Sequence, residues 1–142
     1  MKKLIVICAL FISSAFAAEF KTVAEAETKL SAYTIEDIKG DEQRYLDGKP
    51  LKIDEIYDDL KEVANFSEKN KVTEELAVQI QRVCLLASLR DKSNEAVEIA
   101  LPVYQKNKSL FNKGRKRFDP EDQKELKNVF EGADRASTKG TG

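Results

Sequence analysis

TEELAVQIQRVCLLASL, residues 73–89, is the stretch on which the fold turns. Thr73 is a helix-capping residue, and Glu74 and Glu75 follow it in the first turn, where the positive end of the helix dipole favours acids. Leu76, Ile80, Val83, Cys84 and Ala87 then recur at three- and four-residue spacing, which puts them on one face of a helix. Val78, Leu85, Leu86 and Leu89 widen the apolar surface almost all round. A helix apolar on nearly every side needs neighbours on nearly every side. This segment is therefore expected to be the central helix of a helical domain.

The segments on either side supply those neighbours. Ile53, Ile56, Tyr57, Leu60, Val63 and Ala64 keep the same spacing with Asp and Lys between them, predicting an amphipathic helix from about Asp54 to Phe66. Thr22 with Glu25 reads as a capping box opening an earlier helix, with Val23, Ala26 and Leu30 facing inward. Thr34 to Leu51 reads as a loop-rich connection with one or two helical turns, because Gly40 and Asp47-Gly48-Lys49-Pro50 mark turns. After residue 89, Ser93 or Asn94 caps a segment containing Ala96, Val97, Ile99, Ala100, Leu101, Val103 and Tyr104. Pro102 removes a backbone donor there and crowds the carbonyl of Glu98, so a kink or stop is expected. Leu110 and Phe111 suggest that the helix resumes or continues beyond it, and Gly114 reads as its C-terminal stop. Asp119, Pro120, Glu121 and Asp122 open the last helix, with a stripe of Leu126, Val129, Phe130 and Ala133.

No window alternates apolar and polar residues over strand length. The expected fold class is all-α, with four to five antiparallel helices as a bundle or a short TPR-like array of helical hairpins. Ala96 and Ala100, as small packing positions, give Asn94 to Ala100 a tetratricopeptide-like look. No second copy aligns at the ~34-residue period of such repeats, so membership of that family does not follow.

The first residues set the compartment. Lys2 and Lys3 precede an unbroken apolar run, Leu4 to Ile12, and Ser13-Ser14-Ala15-Phe16-Ala17 follows with small residues at Ala15 and Ala17. That is the layout of a secretory signal peptide cleaved after Ala17. The run is far short of the roughly 20 residues that cross a bilayer as a helix, and Cys8 lies inside it, where it cannot serve as a lipoprotein's acylated residue. The organisation expected is a cleaved signal peptide at 1–17, a single helical domain at 18–136 and a disordered tail at 137–142. The product would be periplasmic or secreted, with no transmembrane anchor.

Composition removes several chemistries. The chain has no histidine, which excludes imidazole-based catalysis and the commonest transition-metal ligand. No serine sits in a nucleophile motif. Of the two cysteines only Cys84 follows the leader, and its place on the inner face favours core packing over a redox or intermolecular role. A calcium loop around Asp47-Gly48 would need ligands where Gln43, Tyr45 and Asp54 stand, so a tight turn is the better reading. No cofactor and no metal is expected. The acid pairs Glu36-Asp37, Asp58-Asp59 and Glu121-Asp122 leave open a small cell-wall glycan hydrolase using a carboxylate, but the chain has no tryptophan to grip a sugar ring.

Charge is unevenly spread. Without the leader the chain keeps 22 bases against 25 acids. Six cations, Lys106, Lys108, Lys113, Arg115, Lys116 and Arg117, lie between Pro102 and Phe118 with no acid among them. Lys113, Arg115, Lys116 and Arg117 are the candidate binding residues, for anionic lipid, an acidic envelope polymer or an acidic protein face. Export argues against nucleic acid. The bland alternative is helix C-terminal charge that complements the dipole. The function expected is an exported non-enzymatic protein-interaction module of the bacterial cell envelope (an adaptor, chaperone-like factor or inhibitor). Its partner is an unknown envelope protein, bound by a groove between helices or by the cationic segment.

Overall fold

The computed structural model describes residues 19–140. The expected leader with Cys8, and the last two residues of the expected tail, lie outside them. The described chain is all-α. Its helices are α1 (Val23–Ser31), α2 (Ile35–Lys39), α3 (Asp41–Leu46), α4 (Lys52–Ser67), α5 (Glu74–Ser88), α6 (Glu95–Lys106), α7 (Lys108–Arg115) and α8 (Pro120–Lys139). The count exceeds four to five because the stretch read as a connection forms α2 and α3, and because Asn107 splits α7 from α6.

The central helix is where the periodicity puts it. α5 packs against α1, α2, α4, α6, α7 and α8, and Leu76, Ile80, Val83, Cys84 and Ala87 are buried. The Thr73 hydroxyl accepts the Leu76 N–H at 3.0 Å, as a capping residue should. α4 packs on α6, and α6 on α8. Tyr104, Phe111 and Phe130 close the end of the core where α6, α7 and α8 meet. Their ring centroids lie 5.1–5.5 Å apart, two of the three pairs edge-on, an arrangement that adds to their area burial.

Three expectations are corrected. Of the kink or stop expected at Pro102, the stop does not occur: α6 continues four residues further to Lys106. The proline is exposed while Leu101, Val103 and Tyr104 are buried, so packing holds the helix across the missing donor. The break falls at Asn107, whose amide donates to the Val103 carbonyl at 2.9 Å. Gly114 is not a stop but a contact point inside α7. A Cβ there would lie 2.8 Å from Cγ2 of Val78, so the missing side chain lets α7 lie against α5. The tail read as disordered from Ser137 is helical through Lys139. The Ser137 hydroxyl donates to the Asp134 carbonyl and accepts from Gln105 on α6, which ties that last turn down.

Gly114→Ala should therefore lower stability. Overpacking costs about 1–3 kcal/mol, while alanine recovers about 1 kcal/mol of helix propensity. Val78 is β-branched and buried, so it has little freedom to swing aside. The net expectation is a loss of up to about 2 kcal/mol, largely restored by adding Val78→Ala. A melting temperature that rises in the single variant would contradict the close contact.

The short elements are fastened by side chains. Thr34 and Asp37 form a reciprocal capping box on α2. The pair Thr22 and Glu25 is only half a box: Thr22 accepts the Glu25 N–H, but the Glu25 carboxylate takes the N–H of Lys21. Asp47-Gly48 is the turn it was read as. Gly48 sits at φ 65°, and Lys49 N–H returns to the Arg44 carbonyl at 2.8 Å, ending α3. The least foreseeable fastening is Asp41. It is wholly buried, and its carboxylate accepts the N–H groups of Lys52 at 2.7 Å and Ile53 at 2.9 Å, with Arg44 beside it at 3.2 Å. The residue next to α4, Leu51, offers no side-chain cap. Asp41 caps that helix from a distance.

Two further carboxylates carry an acid sensitivity. Hydrogen bonds from Lys52 and Lys29 hold Glu55 down at about 2. Ser93 and the Tyr57 hydroxyl, at 2.5 Å, hold Asp91 at about 2. A folded pKa below the unfolded value, about 4, means stability that is present above pH 4 and lost as pH falls toward 2. Burial pushes Asp59 the other way, so it offsets part of the loss. Melting temperature should fall between pH 4 and 2, and less so in Asp91→Asn. A flat profile in the wild type would refute this.

Candidate functional site

The cationic segment is largely bound up within the fold. Lys113 Nζ pairs with Glu74 at 2.9 Å, and Arg117 Nη1 with Glu75 at 2.7 Å. The two acids that open α5 thus also hold α7, and their hydrogen bonds raise the pKa of both cations. Lys108 pairs with Asp134 on α8 at 2.6 Å. Arg115 is half-buried, with Nη1 enclosed and without a partner among the described residues. Lys106 and Lys116 are exposed and make no ion pair with a described residue. Of the four candidate binding residues, two are therefore engaged with acids and one is half-buried. These pairs are exposed and individually weak, ~0–1 kcal/mol each. The segment is in large part a strip that docks α7.

A second surface is better built for contact. Between the C-terminal half of α5, the start of α2 and the N-terminus of α8 lies an open groove of about 470 Å³. Its apolar lining is Ile35, Leu85, Leu86, Leu89 and Phe118. Ile35 is 49% exposed and Leu89 56%, large values for side chains whose burial is worth ~1.5–3 kcal/mol each. Two of the lining elements carry side-chain caps. The Thr34 capping box fixes Ile35. The Asp119 carboxylate, accepting the Asp122 N–H at 2.9 Å, fixes the start of α8. Arg82 forms one wall and is fully engaged: it donates to the carbonyls of Tyr33 at 2.8 Å and Leu30 at 2.6 Å at the end of α1, and to Gln79.

One lip of the groove is acidic. Asp122 and Glu125 line it, and Asp119 and Glu121 stand beside them on the same helix start. None of the four makes an ion pair with a described residue. Partial burial and the neighbouring Asp119, Glu125 and Glu121 push the Asp122 carboxyl above its ordinary pKa.

The signal for this groove was present in the sequence. Leu85 and Leu89 stand four apart, off the inner face of α5, and were read as widening its burial. The fold instead leaves Leu89 56% exposed. Cys84 is buried, and burial pushes its thiol well above the ordinary range, so it is a core residue and not an exposed nucleophile. Among the described residues no group of three or more Cys, Asp or Glu is placed to hold a metal ion. Among them, too, no helix is long and apolar enough to cross a membrane. No protein-family model matches the chain, and no curated protein or solved structure matches it either.

Proposed function

We propose that this chain is an exported, non-enzymatic protein-interaction module of the bacterial cell envelope, acting in the periplasm or outside the cell, and that its working face is the groove lined by Ile35, Leu89 and Phe118. The exposure of two large aliphatic side chains, Ile35 at the capped start of α2 and Leu89 at the end of α5, carries this reading. Such contiguous apolar surface with a polar rim is typical of protein contact sites. The leader pattern at residues 1–17 supports the compartment. The cationic segment is the weaker candidate face, since Lys108, Lys113 and Arg117 already have acidic partners within the fold. Carboxylate chemistry has less to stand on: Asp37 is engaged in the α2 cap, and Asp59 accepts a hydrogen bond from Tyr33 at 2.5 Å.

A photo-crosslinking residue placed at Leu89 in the native cell tests the reading. The expected result is one discrete adduct in the periplasmic or secreted fraction, absent when the crosslinker sits at Lys127, which is exposed and outside the groove. Equal adducts from both positions, or none from either, would contradict it. So would recovery of the protein in the cytosol with residues 1–17 attached.

A further inference from the structure

The composition of the groove says what kind of partner it fits. Its floor is apolar and comes from three separate elements, so it accepts side chains and not a flat surface. Its lip carries two carboxylates, Asp122 and Glu125, with Asp119 and Glu121 beside them on the same helix start, none paired with a cation among the described residues. The N-terminus of α8 contributes only about half a positive charge against them, so the field at the lip is negative. Arg82 adds one positive charge to the lining, with its guanidinium donating to the carbonyls of Leu30 and Tyr33, and the two lip carboxylates outnumber it. A polyanion or an anionic lipid surface would be repelled here, whereas a lysine or arginine would find carboxylates with no ion-pair partner among the described residues beside an apolar seat.

We propose that the groove seats an amphipathic helical segment of a partner protein, with apolar anchors against Ile35, Leu89 and Phe118 and a basic residue directed at Asp122 and Glu125. The proposal rests on the interaction-module reading and names the chemistry of its partner. It follows the helix-in-groove mode, in which apolar positions at i, i+3 or i+4 supply affinity and charge supplies orientation. The raised pKa of Asp122 agrees with it: partial burial and the neighbouring carboxylates Asp119, Glu125 and Glu121 disfavour its charge.

Fluorescence anisotropy on the mature chain tests this with three labelled peptides at physiological salt: an amphipathic Leu/Lys helix, the same pattern in Leu/Glu, and a scrambled Leu/Lys sequence. The Leu/Lys helix should bind at least ~10-fold tighter than either control, a difference of about 1.4 kcal/mol. Leu89→Glu and the double change Asp122→Asn/Glu125→Gln should each weaken it by about tenfold. Both variants alter exposed or lip positions, and unchanged circular dichroism melting confirms that they fold; Ile35→Glu replaces the first if it does not. Equal binding of Leu/Glu would overturn the cationic partner. Leu/Lys binding indifferent to all groove variants would overturn the seat. A dimer of the chain that dissociates on Leu89→Glu would assign the groove to a second copy and overturn the proposal. A Leu89 crosslink to a partner whose docking segment is acidic would sink this inference while the interaction-module reading stands.

Discussion

Phe111→Ala should lower stability by about 3–5 kcal/mol and the melting temperature by more than ~10 °C. Phe111 is wholly buried and stands between Tyr104 on α6 and Phe130 on α8, its ring 5.4 Å and 5.5 Å from theirs. Truncation removes the transfer energy of the ring and leaves a hole bounded by three helices, which cannot collapse without moving α7. Against a total of ~5–15 kcal/mol for a domain of this kind, such a loss is a large share of the whole. The effect should extend to function, because α7 leads directly into Phe118 and the groove. Phe111→Leu keeps much of the volume and should cost about half as much, on the order of 2 kcal/mol. Lys116→Ala, five residues further along and exposed, should change melting little. A Phe111→Ala variant within 1 °C of wild type would show that the aromatic trio does not close the core.

Asp41→Asn should cost about 2–4 kcal/mol. The carboxylate accepts two backbone N–H groups with its two oxygens and faces Arg44. An amide offers one acceptor, so one of the Lys52 and Ile53 N–H groups would meet another donor. The charge that balances Arg44 would also be gone from an enclosed site. Hydrogen exchange gives a reading specific to this mechanism: the amides of Lys52 and Ile53 should lose protection before those in the middle of α4. Uniform loss along α4, or none, would contradict the distant cap.

The legible part of this fold lay in periodicity and local capping. Thr73, Asp119 and Pro120 start helices within a few residues of themselves, and the inner face of α5 is written in its own spacing. The parts that escaped depend on residues far apart in the chain. Asp41 lies in the stretch from Thr34 to Leu51, where nothing local shows that the fold brings it back to Lys52 and Ile53. Gly114 reads as a stop because nothing local shows that Val78 lies against it. Pro102 carries a real local penalty, overridden by the burial of Leu101, Val103 and Tyr104. The candidate site divides the same way. The run of cations from Lys106 to Arg117 was visible, but its acidic partners Glu74, Glu75 and Asp134 come from other helices. The leucines of the groove were visible too. Spacing shows that a face is apolar, not whether a neighbour covers it.

The central claim is that contact is made through the apolar groove and not through the cationic strip. A photo-crosslinker at Ile35, read in the native compartment in three backgrounds, tests it most directly. The account predicts a discrete adduct in the otherwise unaltered chain, its near-complete loss with Leu89→Glu, and its retention with Arg115→Glu/Lys116→Glu. Loss in the second variant with retention in the first would contradict it.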